Sequence, residues 1–200
     1  HYSDSIIQGF SHTHLSGTGI GDLCDISVMP MVDVSASSAK IISKFSHKQE
    51  SAKPGYYAVQ LKDFDIWAEL TTTVRCGFHR YTFPESKNAI IRFDLGFAIN
   101  WDKATACNFK KINDTTFVGY RFSTGWAKDQ KIFFAVKLSK PVKNVRLFSD
   151  KVAGNVNDSA TATDVKACLE FATRKGEKVL MKVGLSSADI EGALESLNEI

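Results

Sequence analysis

The first stretch that could do chemistry is GFSHTHLSGTGIGDL, in which His12 and His14 are separated by one residue. In an extended segment, residues two apart point to the same face, so both imidazoles could reach one metal ion or one ligand. A metal site needs further ligands, and the sequence offers only three more histidines. Three interpretations stay open for the pair: a metal site, a polar pocket wall that binds ligand hydroxyls, and hydrogen bonding within a loop.

The glycine-rich stretch SGTGIGD follows at residues 16–22. A phosphate-binding loop of this kind has to follow a strand and open a helix, because the helix N-terminus meets the anion. Here the next residues are LCDISVMPMVDV, a β-like run interrupted by Pro30. The context therefore argues against a nucleotide site. The glycines instead indicate positive φ angles or a close approach of the backbone to a ligand.

A second polar stretch is AELTTTVRCGFHRYTFP, residues 68–84. In one regular strand, alternation predicts that five of its residues share a face: Thr71, Thr73, Arg75, Gly77 and His79. Threonine, arginine and histidine side chains suit sugar hydroxyls, since they offer fixed donors and acceptors. The solvated outer face of an antiparallel sheet has the same composition, so that interpretation also stays open.

The residue types that usually identify a catalytic centre are not arranged in any motif. There is no G-x-S-x-G elbow, and the 22 acidic residues are dispersed, so spacing identifies no general acid. The four cysteines lie far apart without a C-x-x-C pair, which argues against zinc and against a disulfide framework. We predict that they are buried thiols.

The elements that must position these side chains are mostly strands. Short runs rich in aromatic and β-branched residues recur between turn formers: YYAVQL, DIWAEL, AIIRFDLGF, TFVGYRF and KIFFAVKL. Their density and the scarcity of helical periodicity predict a mainly β protein, an antiparallel β-sandwich of two sheets. We expect residues 1–200 to form a single domain.

Helical periodicity is convincing only in SSADIEGALESLNEI at the C-terminus. The apolar positions Ile190, Leu194 and Leu197 predict a short helix that Ser186 or Ser187 caps. The small polar residues 149–167 predict a loop that crosses an edge of the sandwich.

Charge and hydropathy exclude two classes of partner. The net charge is only +3 and the basic residues are scattered, so we expect no nucleic-acid binding. No run of about 18 apolar residues occurs, so the sequence predicts no membrane span.

The stretch HYSDSIIQGFSHTHLSGTGIGDLCDISVMPMV closely resembles the signature of glycoside hydrolase family 92, the calcium-dependent α-mannosidases. The resemblance resumes at YYAVQL, continues in IWAELTTTVRCGFHRYTFP and RFSTGWAKDQKIFFAVKLSKP, and ends in GLSSADIEGALESLNEI. It implies an N-terminal β-sandwich of the supersandwich type, which in the family packs against a larger C-terminal α/α-barrel domain.

The resemblance also implies an activity. The family hydrolyses α-mannosides, often α-1,2-linked, from the chain end and with inversion. Its general acid, general base and calcium ligands come mainly from the C-terminal domain, while the N-terminal domain forms one wall of the sugar pocket at the domain interface. The residues of this chain that we expect to contact substrate are His12, His14, Gly19, Asp22, Arg75 and His79.

Three expectations follow from this resemblance. The polypeptide continues beyond Ile200 into a catalytic domain, the isolated chain is inactive, and the enzyme acts in an extracytoplasmic compartment on α-mannoside glycans. Two alternatives stay open beside it: a stand-alone carbohydrate-binding sandwich, and a structural domain of a larger surface complex.

Overall fold

The structure is a computed structural model that describes residues 3–15, 21, 23–35, 41–149, 153–156 and 158–200. Strands dominate it, as the alternating sequence pattern predicts. The strands in chain order are β1 Ile6–Ile7, β2 Ser27–Val32, β3 Ser43–Lys44, β4 Glu50–Lys53, β5 Tyr56–Leu61, β6 Ile66–Thr72, β7 Cys76–Phe83, β8 Ser86–Asp94, β9 Lys103–Asn113, β10 Thr116–Thr124, β11 Gln130–Leu138, β12 Asn144–Ser149, β13 Ala153–Val156, β14 Ser159–Ala162, β15 Val165–Thr173 and β16 Glu177–Ser186. The helix α1 spans Ile190–Ser196, and short 3-10 turns span His47–Gln49 and Leu197–Glu199.

Within the described residues, the long strands form two antiparallel sheets. One has nine strands in the order β14-β9-β10-β11-β16-β7-β6-β5-β4, and the other has five in the order β13-β12-β15-β8-β2. The short strands β1 and β3 pair separately. The predicted antiparallel β-sandwich is thus confirmed.

The two sheets pack face to face through aromatic side chains. Phe93 of the five-stranded sheet lies with its ring centroid 5.4 Å from that of Phe109 and 6.4 Å from that of Phe134, both on the nine-stranded sheet. Further along, the rings of Phe83 and Phe171 meet edge to face at 5.5 Å. All five side chains are at most 3% exposed. Burial of these large rings between the layers supplies much of the hydrophobic stabilisation.

One end of the sandwich gathers the segments 10–15, 23–26, 72–76, 95–102 and 125–129, and we call it the loop end. The register of the large sheet places the segments 72–76 and 125–129 at this end, since Gly77 pairs with Thr72, Gly184 with Cys76, Phe133 with Ser186, and Ser123 with Gln130. The segment 95–102 ends beside them because Lys103 pairs with Thr124. The segment 10–15 joins them because Phe10 pairs with Val28 at the start of the smaller sheet. The opposite end of the sandwich carries the turns at 114–115 and 174–176.

Two local predictions were wrong. The stretch 149–167 is not a loop throughout, because it contains β13 and β14, and the alanines of β14 reach the core beside β9. The cap of α1 is not Ser186 or Ser187 but Asp189, whose Oδ1 accepts a hydrogen bond of 2.7 Å from the Gly192 amide. An aspartate directly before the helix takes this role because its carboxylate reaches the exposed amides of the first turn.

The apolar face of α1 differs from the predicted one. Ala193 is fully buried and Ile190 and Leu197 pack beside it against Val118, whereas Leu194 is 38% exposed. A small residue faces the sheet because the helix lies close to it: a Cβ on Gly184 would meet the Ala193 carbonyl oxygen. In the part of the chain that the structure describes, no helix has the length and apolar character needed to cross a membrane.

Candidate functional site

A cleft of about 460 Å³ opens at the loop end, between the segment 10–12 and the inner face of the large sheet. Its floor is formed by β7 and by Leu70 of β6, and its rim by the β6–β7 hairpin and the turn before β5. Among the predicted site residues, His12, Arg75 and His79 line it, and so does Gly77 of the predicted polar strand face. The fold therefore brings together two separate motifs, and His12 and His79 meet although they are 67 residues apart in sequence.

His12 and His79 meet at the bottom of this cleft. Their Nε2 atoms are 2.8 Å apart, His12 Nδ1 lies 2.7 Å from the Ile26 carbonyl oxygen, and His79 Nδ1 lies 2.7 Å from the Tyr81 hydroxyl. A carbonyl oxygen only accepts, so the Nδ1 of His12 carries its proton and its Nε2 is the acceptor. It follows that His79 donates from Nε2 and accepts from Tyr81. The four groups form one directed chain of hydrogen bonds.

Burial keeps this chain neutral. Desolvation lowers the pKa of His12 from 6.5 to about 4, although its bond to Ile26 opposes the change. Desolvation, and secondarily the neighbouring His12, lowers the pKa of His79 well below its ordinary value. Burial raises the pKa of Tyr81 well above its ordinary range. Both imidazoles are therefore neutral at pH 7, as the directed chain requires.

Gly77 allows the histidines to lie where they do. A Cβ at this position would stand 2.9 Å from Cδ2 of His12 and 3.5 Å from Nε2 of His79. Such a contact is shorter than van der Waals distance, so His12 would have to move. The glycine of the motif RCGFHR thus serves a close approach of two segments.

Arg75 stands at the rim of the cleft. Its side chain is 69% exposed, and its Nε lies 3.5 Å from Oε1 of Glu199. Its backbone amide donates to the other carboxylate oxygen of Glu199 at 3.1 Å. The hydroxyl of Thr73 donates to the same carboxylate and lowers its pKa. The guanidinium consequently keeps most of its donors available at the mouth of the cleft.

The segment before β2 has a strained backbone that sequence reasoning did not identify. Leu23, Cys24 and Ile26 all have positive φ angles, of 71°, 63° and 53°. Each costs roughly 1–3 kcal/mol in a non-glycine residue, so the surroundings must impose this shape. Asp25, between them, accepts a hydrogen bond of 2.6 Å from the Thr13 hydroxyl, and its carbonyl accepts from the His12 amide at 3.0 Å.

Asp25 is held from the other side by Arg121, which sequence reasoning also missed. Arg121 is fully buried on the inner face of β10, and its guanidinium donates to the carboxylates of Asp25 and Asp102. Burial alone would lower the pKa of Arg121, but the two carboxylates raise it. The signal was present in TFVGYRFST, where alternation puts Arg121 on the same face as the buried Phe117.

Two tryptophans are exposed beside these segments. Trp101 precedes Asp102 and is 52% exposed, and Trp126 lies in the β10–β11 connection and is 60% exposed. Large exposed rings at one end of a domain are typical of a contact surface. Neither residue belonged to the predicted site.

The predicted site residues do not all lie together. His14 is exposed and pairs through its backbone with Leu23, and it does not line the cleft. Gly19 and Asp22 lie outside the described residues. The substrate-binding roles of these residues, and of His12, Arg75 and His79, stay predictions.

The single polar face predicted for residues 71–79 was wrong. The chain reverses at residues 73–75, where the Thr73 amide donates to the Cys76 carbonyl at 2.9 Å. In the resulting hairpin Leu70 pairs with His79, and Thr71 pairs with Phe78 on the opposite face. Period two does not survive a turn, because the reversal resets which residues face inward.

The described residues of the loop end offer no site for a metal ion. Both nitrogens of His12 are engaged in hydrogen bonds. Over the described ranges, no group of three or more His, Cys, Asp or Glu side chains is arranged to hold a metal. The buried carboxylates Asp25 and Asp102 already bind Arg121. The donor set of the described residues therefore does not fit calcium.

Comparison with known proteins gives a consistent result. The family model described as glycosyl hydrolase family 92 N-terminal domain matches residues 1–186. The structure of the family GH92 alpha-mannosidase BT3965 from Bacteroides thetaiotaomicron is 34% identical, with a TM-score of 0.92 over 99% of this chain. The same alpha-mannosidase in complex with mannoimidazole superposes with a TM-score of 0.91 at 34% identity over 99% of this chain.

A more distant structure shares the fold alone. The family GH92 inverting mannosidase BT2199 from the same organism is 22% identical over 99% of this chain, with a TM-score of 0.83. The chain spans only 29%, 28% and 26% of these three solved chains, in the order given. A comparison with curated proteins gives no match.

Proposed function

The chain belongs to glycosyl hydrolase family 92, whose N-terminal domain it forms, and from this we propose that the protein carrying it is an exo-acting α-mannosidase. We propose further that it hydrolyses α-1,2-linked mannosides with inversion. The observation that carries the proposal is the 34% identity over 99% of the chain to a family alpha-mannosidase, which was also solved with mannoimidazole.

In this proposal the loop end forms one wall of the sugar pocket, and a C-terminal catalytic domain of the same polypeptide forms the other. The cleft, the exposed Arg75 and the two exposed tryptophans all lie at that end. Their chemistry suits a saccharide, since aromatic rings contact the apolar faces of sugar rings and the guanidinium donates to hydroxyls.

The contribution of this chain is binding and orientation. The side chains at the loop end would hold the sugar and exclude water from the reacting bond. An inverting glycosidase also needs two carboxyl groups about 6.5–9.5 Å apart, one acid and one base. Asp25 and Asp102, the buried carboxylates of the loop end, are both bound to the same Arg121 guanidinium and do not suit either role. We therefore assign acid and base to the catalytic domain.

Calcium is proposed for the catalytic domain only, where it would polarise or position the reacting groups. No step in this chain depends on it. A role in glycan degradation also favours an extracytoplasmic location, in the periplasm, at the cell surface or outside the cell.

The experiment compares two proteins: the natural polypeptide that carries this domain and the 200-residue chain. Each is incubated with α-1,2-, α-1,3- and α-1,6-mannobiose in the presence of calcium, and proton NMR identifies the first anomer released. We expect β-mannose from the α-1,2 substrate with the natural polypeptide, and no turnover by the chain alone at any calcium concentration.

Two results would contradict the proposal: turnover by the 200-residue chain that a chelator abolishes, or no mannoside turnover by the natural polypeptide. Tight binding of α-mannobiose to the chain alone, measured by calorimetry, would instead favour a stand-alone carbohydrate-binding sandwich.

A further inference from the structure

Arg121 connects separate segments of the loop end through a single side chain. Its Nε donates to the Leu95 carbonyl at 2.9 Å and its Nη2 donates to the Phe97 carbonyl at 3.1 Å. The same guanidinium donates to the carboxylates of Asp25 and Asp102. All three charged side chains are at most 4% exposed. One residue of β10 therefore fixes two carbonyls and two carboxylates.

The groups that Arg121 holds belong to different parts of the wall. Asp25 accepts from the Thr13 hydroxyl and from Gln130 Nε2, both at 2.6 Å, so it ties the segments 10–15 and 23–26 to the start of β11. Leu95, Phe97 and Asp102 belong to the β8–β9 connection. Trp101 is the neighbour of Asp102, and the connection that carries Trp126 ends at Gln130.

The choice of residue is informative. A buried ion cluster is a poor device for stability alone, because well-packed apolar side chains of the same volume are often as good or better. What the guanidinium offers is a rigid planar set of five donors that fixes the direction of each partner. A cluster of this kind is suited to holding several loops in one arrangement.

We propose that Arg121 is the positioning residue of the sugar pocket wall, fixing segments 10–15, 23–26 and 95–102 relative to one another. This rests on the proposed function for the identity of the wall. Arg121 does not touch the substrate itself: it lies beneath the surface and acts through Asp25 and Asp102.

The first test is hydrogen exchange on the 200-residue chain with Arg121→Lys, which keeps the charge and removes the planar fork. We expect the amides of His12, Cys24 and Asp102 to exchange at least about 10-fold faster, while those of β7 and β16 stay unchanged. The control is Arg80→Lys on the outer face of β7, where the guanidinium pairs with Glu69. Exchange that is unchanged, or faster everywhere alike, would overturn the proposal.

A second variant covers the case in which Arg121→Lys does not fold. Asp102→Asn keeps the shape of the side chain and removes one anchor. We expect faster exchange within 95–102 and unchanged exchange at His12 and Cys24, because Asp25 still binds Arg121. An increase in exchange rate that is the same in all segments of this variant, or no increase within 95–102, would also contradict the proposal.

The second readout is kinetic and uses the natural polypeptide. We expect Arg121→Lys to raise KM for α-mannobiose about 10-fold or more while kcat stays within about 3-fold, as loss of a binding wall requires. If exchange at the loop end becomes faster in Arg121→Lys but KM does not change, the proposed role of Arg121 in the sugar pocket is overturned. If the wild-type polypeptide does not hydrolyse mannosides, the proposed function fails, and the exchange data alone decide whether Arg121 positions the loop end.

Discussion

The Nε2 atoms of His12 and His79 face each other at 2.8 Å, and His79 donates a hydrogen bond to His12. The pair belongs to a chain of hydrogen bonds that starts at the Tyr81 hydroxyl and ends at the Ile26 carbonyl. Ile26 has a positive φ angle. Its carbonyl accepts from His12, so the same chain of hydrogen bonds holds the strained segment and the cleft floor. The arrangement agrees with the hydrogen-bonding interpretation of His12, and both imidazoles in it are neutral.

The first prediction concerns pH. Because burial lowers the pKa of His12 from 6.5 to about 4, the folded chain binds fewer protons than the unfolded chain between these values. Its contribution to stability is complete above pH 6.5 and decreases as the pH falls towards 4, by about 1.4 kcal/mol per pH unit. The lowered pKa of His79 acts in the same direction.

Urea unfolding of the 200-residue chain at pH 7, 6 and 5 measures this slope. The double variant His12→Gln/His79→Gln should be less stable at pH 7 and should lose most of the slope. A wild-type free energy of unfolding that is flat across this range would contradict the buried neutral pair.

The second prediction concerns Gly77. In Gly77→Ala the new methyl group would collide with His12, so we expect a loss of about 1–3 kcal/mol in stability and a several-fold increase in KM for α-mannobiose in the natural polypeptide. The matched control is Gly176→Ala at the opposite end of the sandwich. That residue has a φ of +75° with no atom near its Cβ, so alanine should cost about 1–2 kcal/mol and leave KM unchanged. Equal KM in both variants would refute a role for the cleft floor.

The third prediction compares two arginines of one hairpin. Arg75 is 69% exposed at the cleft rim, whereas Arg80 is 44% exposed on the outer face. Exposed ion pairs contribute about 0–1 kcal/mol, so both alanine variants should fold normally. We expect Arg75→Ala to raise KM at least about 5-fold and Arg80→Ala to leave it unchanged. Equal kinetics for the two variants would remove Arg75 from the binding surface.

The fourth prediction concerns the thiols. All four cysteines are buried without a disulfide, and burial raises the pKa of Cys107 and Cys168 to about 12. Because the thiolate is the reactive form, native protein should not react with Ellman's reagent within minutes, and unfolded protein should release four equivalents. Rapid labelling of native protein would contradict this. So would an intact mass about 2 Da below that of the fully reduced chain, because a disulfide removes two hydrogen atoms.

Much of the sandwich could be predicted from sequence, because alternation with aromatic and β-branched residues is local information. YYAVQL and KIFFAVKL, for example, coincide with β5 and β11. The stretch 149–167 could not, because small polar residues give no amphipathic signal, and β14 forms only by pairing with β9. The prediction of the α1 cap failed for a simpler reason: three candidate cap residues, Ser186, Ser187 and Asp189, lie within four positions.

The candidate site depends on contacts that are distant in sequence. The meeting of His12 and His79 requires the order of strands and their register, neither of which composition reveals. Arg121 is different, since an arginine on the face of β10 that carries Phe117 conflicts with an apolar core. Such a conflict indicates a buried ion pair, and the sequence therefore held a usable signal for the cluster although not for its partners.

The most direct test of the central claim is hydrogen exchange of the natural polypeptide with and without mannoimidazole. If the loop end forms one wall of the sugar pocket, the segments 10–15, 72–76 and 95–102 will be protected by the ligand, and the turns at 114–115 and 174–176 will exchange unchanged. Binding of mannoimidazole without any protection of the loop end would show that the wall lies elsewhere.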